Sequence, residues 1–167
     1  MVHRQTSDFN RAAAHLKRPM VRVYGTSVTI GGEGILLRGP SGSGKSDLAL
    51  RLIDEGALLV ADDQTELRQV GASLEMTPPP SLAGLLEVRG LGIVRVPHAA
   101  RAPLCLIVDL APEAAIERLP EPRAATIEGI EFPLLTLHPF AVSATAKLRM
   151  ALKALNAPML AGALAAP

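Results

Sequence analysis

From residue 21 onward, short continuous apolar runs are separated by glycine, proline and acidic turns, and only a few stretches carry apolar residues at helical spacing. Val21, Val23, Val28 and Ile30 suggest a strand or hairpin leading to Gly31-Gly32. Gly34-Ile35-Leu36-Leu37-Arg38 reads as a short buried strand. Asp47 to Glu55 then places Leu48, Leu52 and Ile53 at helical spacing, closed by Gly56. Ala57-Leu58-Leu59-Val60-Ala61 is a second continuous run ending at Asp62-Asp63, the pattern of a buried strand in a parallel sheet.

Glu66 to Met76 reads as weaker strands around a turn at Gly71, and Thr77-Pro78-Pro79-Pro80 cannot join a ladder. Leu85 to Arg89 and Ile93 to Val96 are two strands separated by Gly90-Leu91-Gly92, and Leu104 to Leu110 is another continuous apolar strand. Pro112 to Arg118 reads as a short helix. Ile127 to Leu137 is extended but interrupted by Gly129 and Pro133, and Ala144 to Leu155 forms an alanine-rich helix. Residues 1–20, with a helical turn at Arg11 to Lys17, read as a flexible arm and 157–167 as a flexible tail, leaving one domain over 21–156.

Composition narrows the classes of partner. A 167-residue chain buries a core without staples; hydrophobic residues make up 49%, charged residues 20%, and the formal charge is +1. Few aromatics and no long Lys/Arg run argue against nucleic acid. The single cysteine, Cys105, lies in an apolar run and is expected to be a small core residue. No secretory signal or membrane span is legible, so the expected location is cytoplasmic.

The chemistry begins at Gly39-Pro40-Ser41-Gly42-Ser43-Gly44-Lys45-Ser46, which fits the phosphate-cradling pattern G-x-x-x-x-G-K-[ST] between a strand and a helix. Glycines let backbone N–H groups converge on phosphate, the helix N-terminus adds positive potential, Lys45 reaches terminal phosphates, and the Ser46 hydroxyl holds Mg²⁺. A nucleotide and Mg²⁺ are therefore the expected ligands. Asp62 and Asp63 follow an apolar strand, where one carboxylate can serve the metal or its water while the other faces the acceptor; the alternative is an Asp pair capping the next turn.

Glu87 and Arg89 sit two apart in an apolar segment, so they would share a strand face. A metal-coordinating Glu87 and a phosphate-facing Arg89, with Gly90 and Gly92 permitting close approach, would explain them; an exposed cross-strand ion pair at a sheet edge is the simpler reading of the residues alone. Arg118 and Arg123 could clamp a phosphoryl group or be merely solvated. His98 and His138 lack partners at metal-ligand spacing.

Three blocks together resemble the catalytic domain of HPr kinase/phosphorylase, a bacterial family that phosphorylates a serine of the phosphocarrier protein HPr: Gly39 to Ser46, Val60-Ala61-Asp62-Asp63, and Leu86-Glu87-Val88-Arg89-Gly90-Leu91-Gly92-Ile93. The resemblance spans roughly residues 21 to 155. It implies an α/β P-loop domain with a mixed sheet flanked by helices and a nucleotide site of the phosphoenolpyruvate carboxykinase type. By position, it implies that Lys45 contacts phosphates, Ser46 and Glu87 bind Mg²⁺, Asp63 takes the serine proton and Arg118 assists the transferred phosphoryl. HPr or a paralogue is the implied partner, and homo-oligomerisation is implied by analogy.

Three departures qualify what the resemblance implies. The chain leaves no room for the family's separate N-terminal domain and looks like a catalytic-domain-only form. Tyr24 precedes Gly25 where the family usually has histidine, and Leu137-His138-Pro139-Phe140-Ala141 stands where the family has an arginine-rich loop associated with dephosphorylation, which makes phosphorylase activity doubtful. A small-molecule P-loop kinase and a non-catalytic ATP-binding regulatory module share the same glycine loop and are the rival readings.

Overall fold

A computed structural model describes residues 19–157, so the expected N-terminal arm, its turn at Arg11 to Lys17 and nearly all of the tail lie outside the described residues. Among the described residues, eleven strands and two α-helices make up the framework. β1 (Val21–Tyr24), β2 (Thr26–Ile30) and β3 (Glu33–Arg38) lead into α1 (Lys45–Asp54). β4 (Leu58–Ala61), β5 (Gln64–Val70) and β6 (Ser73–Thr77) follow, then the hairpin β7 (Leu85–Val88) and β8 (Gly92–Arg95). β9 (Ala102–Leu110), β10 (Ala124–Ile127), β11 (Ile130–Leu137) and α2 (Ala144–Asn156) complete the order.

Nine strands form one mixed sheet in the order β1-β5-β6-β9-β3-β2-β4, with β11 also on β9 and β10 beyond it, while β7 and β8 pair only with each other. β3 and β11 both lie parallel to β9; the other ladders are antiparallel. The central apolar runs are explained by two cores, one on each face. Ile35, Leu37, Leu106 and Val108 point to the face covered by α1 and α2, where Leu48, Leu52, Leu148 and Leu152 pack. Leu36 and Ile107, one residue out of step, point into a second cluster with Leu67, Leu74, Met76 and Phe132. Both helices thus pack into one of the two clusters, a difference from the expectation of a sheet flanked by helices.

Two local expectations are corrected. β4 is not hydrogen-bonded into a parallel ladder: it pairs antiparallel with β2. A continuous apolar run reports burial on both faces and says nothing about strand direction. Pro112 to Arg118 is only one 3-10 turn, Glu113–Ala115, because its apolar residues have no long face to bury and Pro120 and Pro122 follow. Cys105 is half-buried against the helix-covered core, where burial raises the thiol above its ordinary value.

The topology also sets where chemistry can occur. β2 is antiparallel to both neighbours, so β3 and β4 run in the same direction and their C-terminal ends reach the same edge of the sheet. Residues 39–44 leave β3 there and Asp62-Asp63 leave β4 beside them.

Candidate active site

One open cavity of about 390 Å³ is lined by Ser41, Gly42, Gly44, Lys45, Ser46, Asp62, Asp63, Glu87 and Arg89, with Asp47, Leu50, Val88 and Phe140 along its walls. Segments that are distant in sequence but adjacent at the sheet edge therefore contribute to a single site. The glycine loop turns through a Ser43 N–H to Pro40 carbonyl bond of 3.1 Å. Gly44 has φ +94°, and a Cβ there would come within 2.8 Å of Phe140 Cζ, so both backbone and space require glycine. Lys45 is buried, with Nζ donating to the carbonyls of Gly39 at 2.8 Å and Pro40 at 3.1 Å. The ammonium is held across the loop.

Asp62 is the hub. Its Oδ1 accepts from Ser46 Oγ at 2.8 Å and from Thr26 Oγ1 at 2.9 Å, and its Oδ2 accepts from the Glu87 backbone N–H at 3.0 Å. Three donors satisfy a carboxylate that is only 9% exposed. The same three bonds tie together the start of α1, β2 and β7, so the Ser46 hydroxyl and the Glu87 backbone are fixed relative to each other.

Asp63 has a different environment. It is exposed and sits at φ +62°, a left-handed conformation uncommon for a residue with a Cβ. Its carbonyl accepts from Gly25 N–H at 2.9 Å, and its own N–H lies 3.4 Å from Thr26 Oγ1. Gly25 is required because an added Cβ would lie 2.8 Å from the Leu37 carbonyl oxygen. The short turn Asp62 to Gln64, closed by Gln64 N–H to the Asp62 carbonyl at 2.7 Å, places the two carboxylates in different settings. One is locked by hydrogen bonds, and the other stands in the cavity wall.

Glu87 and Arg89 both line the cavity, but they do not share a strand: Glu87 is in β7 and Arg89 lies in the turn before β8. Among the described residues, neither belongs to an ion pair. The edge ion-pair reading therefore falls away. Gly39, Pro40, Ser43, Gly90 and Gly92 are outside the cavity lining, and Gly39 and Pro40 act through the carbonyls that hold Lys45. Arg118 is exposed on a bend and also outside the lining, Arg123 reaches Thr136 Oγ1 at 3.5 Å, and Tyr24 is 78% exposed at the end of β1. Sequence reasoning missed Thr26 and Phe140. Thr26 could have been suspected only as a polar residue at the start of an otherwise buried strand.

The model of the HPr Serine kinase C-terminal domain matches residues 17–101, just over half of the chain and the stretch that contains all of these carboxylates. The chain belongs to this family. An HPr kinase/phosphorylase from Shouchella clausii is 51% identical over 79 residues, which are 47% of this chain and 26% of that protein. One from Xylella fastidiosa is 44% identical over 93 residues, 53% of this chain and 29% of the relative. The chain thus spans between a quarter and a third of the length of these relatives. The solved HPr(Ser) kinase/phosphatase from Coxiella burnetii superposes with a TM-score of 0.69 at 26% identity, covering 80% of this chain and 97% of that one. The likeness in fold extends well beyond the segment matched in sequence.

The Ser46 hydroxyl and the Asp62, Asp63 and Glu87 carboxylates that line the cavity are hard oxygens of the kind Mg²⁺ takes. Among the described residues, no cluster of three or more His, Cys, Asp or Glu side chains forms a closed metal cage. Also among the described residues, no helix is long and apolar enough to cross a membrane.

Proposed function

We propose that this protein is an Mg²⁺-ATP-dependent serine kinase whose acceptor is HPr or an HPr-like phosphocarrier protein. The observation that carries the reading is the convergence on one cavity of Lys45, Ser46, the hydrogen-bonded Asp62, the exposed Asp63 and Glu87. The glycine loop would receive the phosphates through backbone N–H groups at the start of α1, in a nucleotide site of the phosphoenolpyruvate carboxykinase type. Ser46, Asp62 and Glu87 would hold Mg²⁺, which when bound neutralises charge on the transferred phosphoryl group.

Lys45 leaves its two loop carbonyls to meet the terminal phosphates. Asp63 accepts the acceptor serine's proton as the serine oxygen forms its bond to phosphorus and the bond to the leaving diphosphate breaks. Asp62, with three donors on its two oxygens and a lone pair left for the metal or its water, serves orientation and metal binding rather than proton transfer. Arg89, on the turn that lines the cavity, would meet a phosphate or the acceptor. Arg118 would need its bend to move inward to assist, so it is the weaker candidate. The exposed Tyr24 and the arginine-free segment 137–141 support kinase activity without efficient phosphorylase activity.

The test is intact-mass spectrometry of the host's HPr after incubation with the protein, Mg²⁺ and ATP, with Lys45→Ala as control. One added phosphate that disappears in the control is the expected result. No added mass, with ATP binding measured separately, would refute HPr as acceptor and favour a metabolite kinase or an ATP-binding regulatory module.

A further inference from the structure

Phe140 has no role in the phosphoryl-transfer reading, yet it is placed as a functional side chain would be. It is 59% exposed, it lines the cavity wall, and among the described residues it is the only aromatic that does so. Phe132 is buried in the core on the opposite face, and Tyr24 is outside the lining. An exposed phenyl ring on a concave polar surface has apolar area left for a ligand to cover.

The segment carrying it is held firmly. Arg51 Nη2 donates to the Pro139 carbonyl, His138 Nδ1 lies 3.2 Å from the Ala111 carbonyl, and the His138 ring meets Phe140 edge-to-face at 5.9 Å between centroids and 71° between planes. On the other side the ring tip abuts Gly44, where an added Cβ would be 2.8 Å away. The platform is thus referenced directly to the end of the phosphate loop, where it enters α1. Leu50 supplies further apolar lining, and Asp47, which also lines the cavity, already accepts from Arg51 at 3.1 Å.

We propose that Phe140 is the stacking platform for the nucleotide's base, so that donor recognition at this end of the cavity is by aromatic contact rather than by hydrogen bonds to base edges. The inference rests on the nucleotide reading above and adds the subsite that holds the base. Phosphates bind at Gly42 to Ser46, and the base lies over the Phe140 and Leu50 wall. Stacking of a base on an aromatic side chain is worth enough that its removal weakens binding by roughly ten-fold or more.

The experiment compares MgATP with magnesium tripolyphosphate, which has phosphates but no base, by calorimetric titration of the full chain and of Phe140→Ala. The expected result is an approximately ten-fold rise in Kd for MgATP and a change of less than about two-fold for tripolyphosphate. Phe140→Trp keeps a platform and introduces the chain's only tryptophan; it should hold MgATP near the parent affinity, with fluorescence quenched by MgATP and unaffected by tripolyphosphate. Equal weakening for both ligands would mean that Phe140 merely shapes the glycine loop, and would overturn the inference. Unchanged MgATP affinity with a raised KM for the acceptor would overturn it in favour of an acceptor contact. If the parent bound neither ligand, the phosphate-site reading itself would fail, and the base subsite with it.

Discussion

Asp63 combines an exposed carboxylate with a left-handed backbone, and the two properties can be separated by comparing Asp63→Ala with Asp63→Gly. Both variants remove the carboxylate that would take the serine proton, so both should lose about 10² to 10⁴ in phosphoryl-transfer rate while still binding MgATP. They differ in what φ +62° costs. A Cβ in this region costs roughly 1–2 kcal/mol, and glycine is free of it but loses about 0.5–1 kcal/mol more chain entropy on folding than alanine. The difference leaves Asp63→Gly more stable than Asp63→Ala by about 0.5–1 kcal/mol. With a urea m-value of about 1–3 kcal/mol/M, the denaturation midpoints should differ by a few tenths of a molar, glycine higher. Equilibrium urea denaturation followed by circular dichroism reads this directly. An alanine variant as stable as the glycine variant would refute strain at residue 63, and one that transfers phosphate at the parent rate would refute its role as base.

Other perturbations test the supports of the site. Thr26→Val removes the buried hydroxyl that donates to Asp62 at 2.9 Å; it should cost about 1.5–3 kcal/mol and lower kcat more than it raises the KM for ATP, with Thr26→Ser restoring both. Because a 1 kcal/mol loss shifts Tm by about 2–4 °C for a chain of this size, calorimetry resolves the effect. Gly25→Ala drives a Cβ against the Leu37 carbonyl oxygen and should destabilise by about 1–3 kcal/mol while displacing Asp63, so a parent-like Tm would contradict the packing. Glu55 is held below its ordinary value of 4.5, first by the Thr145 hydroxyl and then by Arg149, joining the end of α1 to α2. A lowered folded-state value means its contribution is full above about pH 4.5 and is lost as pH falls through that value and below. Glu55→Gln should therefore lose stability at pH 7, and its gap to the parent should narrow as pH falls below 4.5 in urea denaturation; a gap that does not change with pH would contradict this.

The local elements around the site were legible because their signals are short in range. Gly39 to Ser46 between an apolar run and an amphipathic segment became loop and helix within two residues of expectation, and Gly71, Gly90-Leu91-Gly92 and Gly129 marked three real hairpin turns. Pairing partners were not legible. β3 finds β9 some seventy residues downstream, and β4 returns to β2 antiparallel; composition fixes neither choice, since Leu59 and Val60 are equally buried in either direction. Thr26 and Phe140 escaped for the same reason. Each matters through one neighbour far along the chain, Asp62 for the first and Gly44 for the second.

The pairing of the sheet also explains why Asp62 and Asp63, which follow β4, line the cavity while the acidic residue near the end of β9 does not. β9 is the parallel neighbour of β3, and Asp109 near its end is well placed along the sheet to serve the glycine loop. Arg38, the last residue of β3, takes both oxygens of Asp109, at 2.7 and 2.9 Å, just before the loop begins. That carboxylate is neutralised within the sheet and is absent from the cavity lining. On the other side, β2 intervenes between β3 and β4 and contributes Thr26, so Asp62 arrives at the same edge with a hydroxyl already aimed at it and Ser46 within reach. Asp63 follows on the turn, and among the described residues no side chain pairs with its carboxylate. Arg38→Ala tests this division of labour: it should free Asp109 and cost stability, yet leave phosphoryl transfer intact so long as Asp62 keeps its three donors, whereas a loss of transfer comparable to Asp62→Asn would place Asp109 in the machinery.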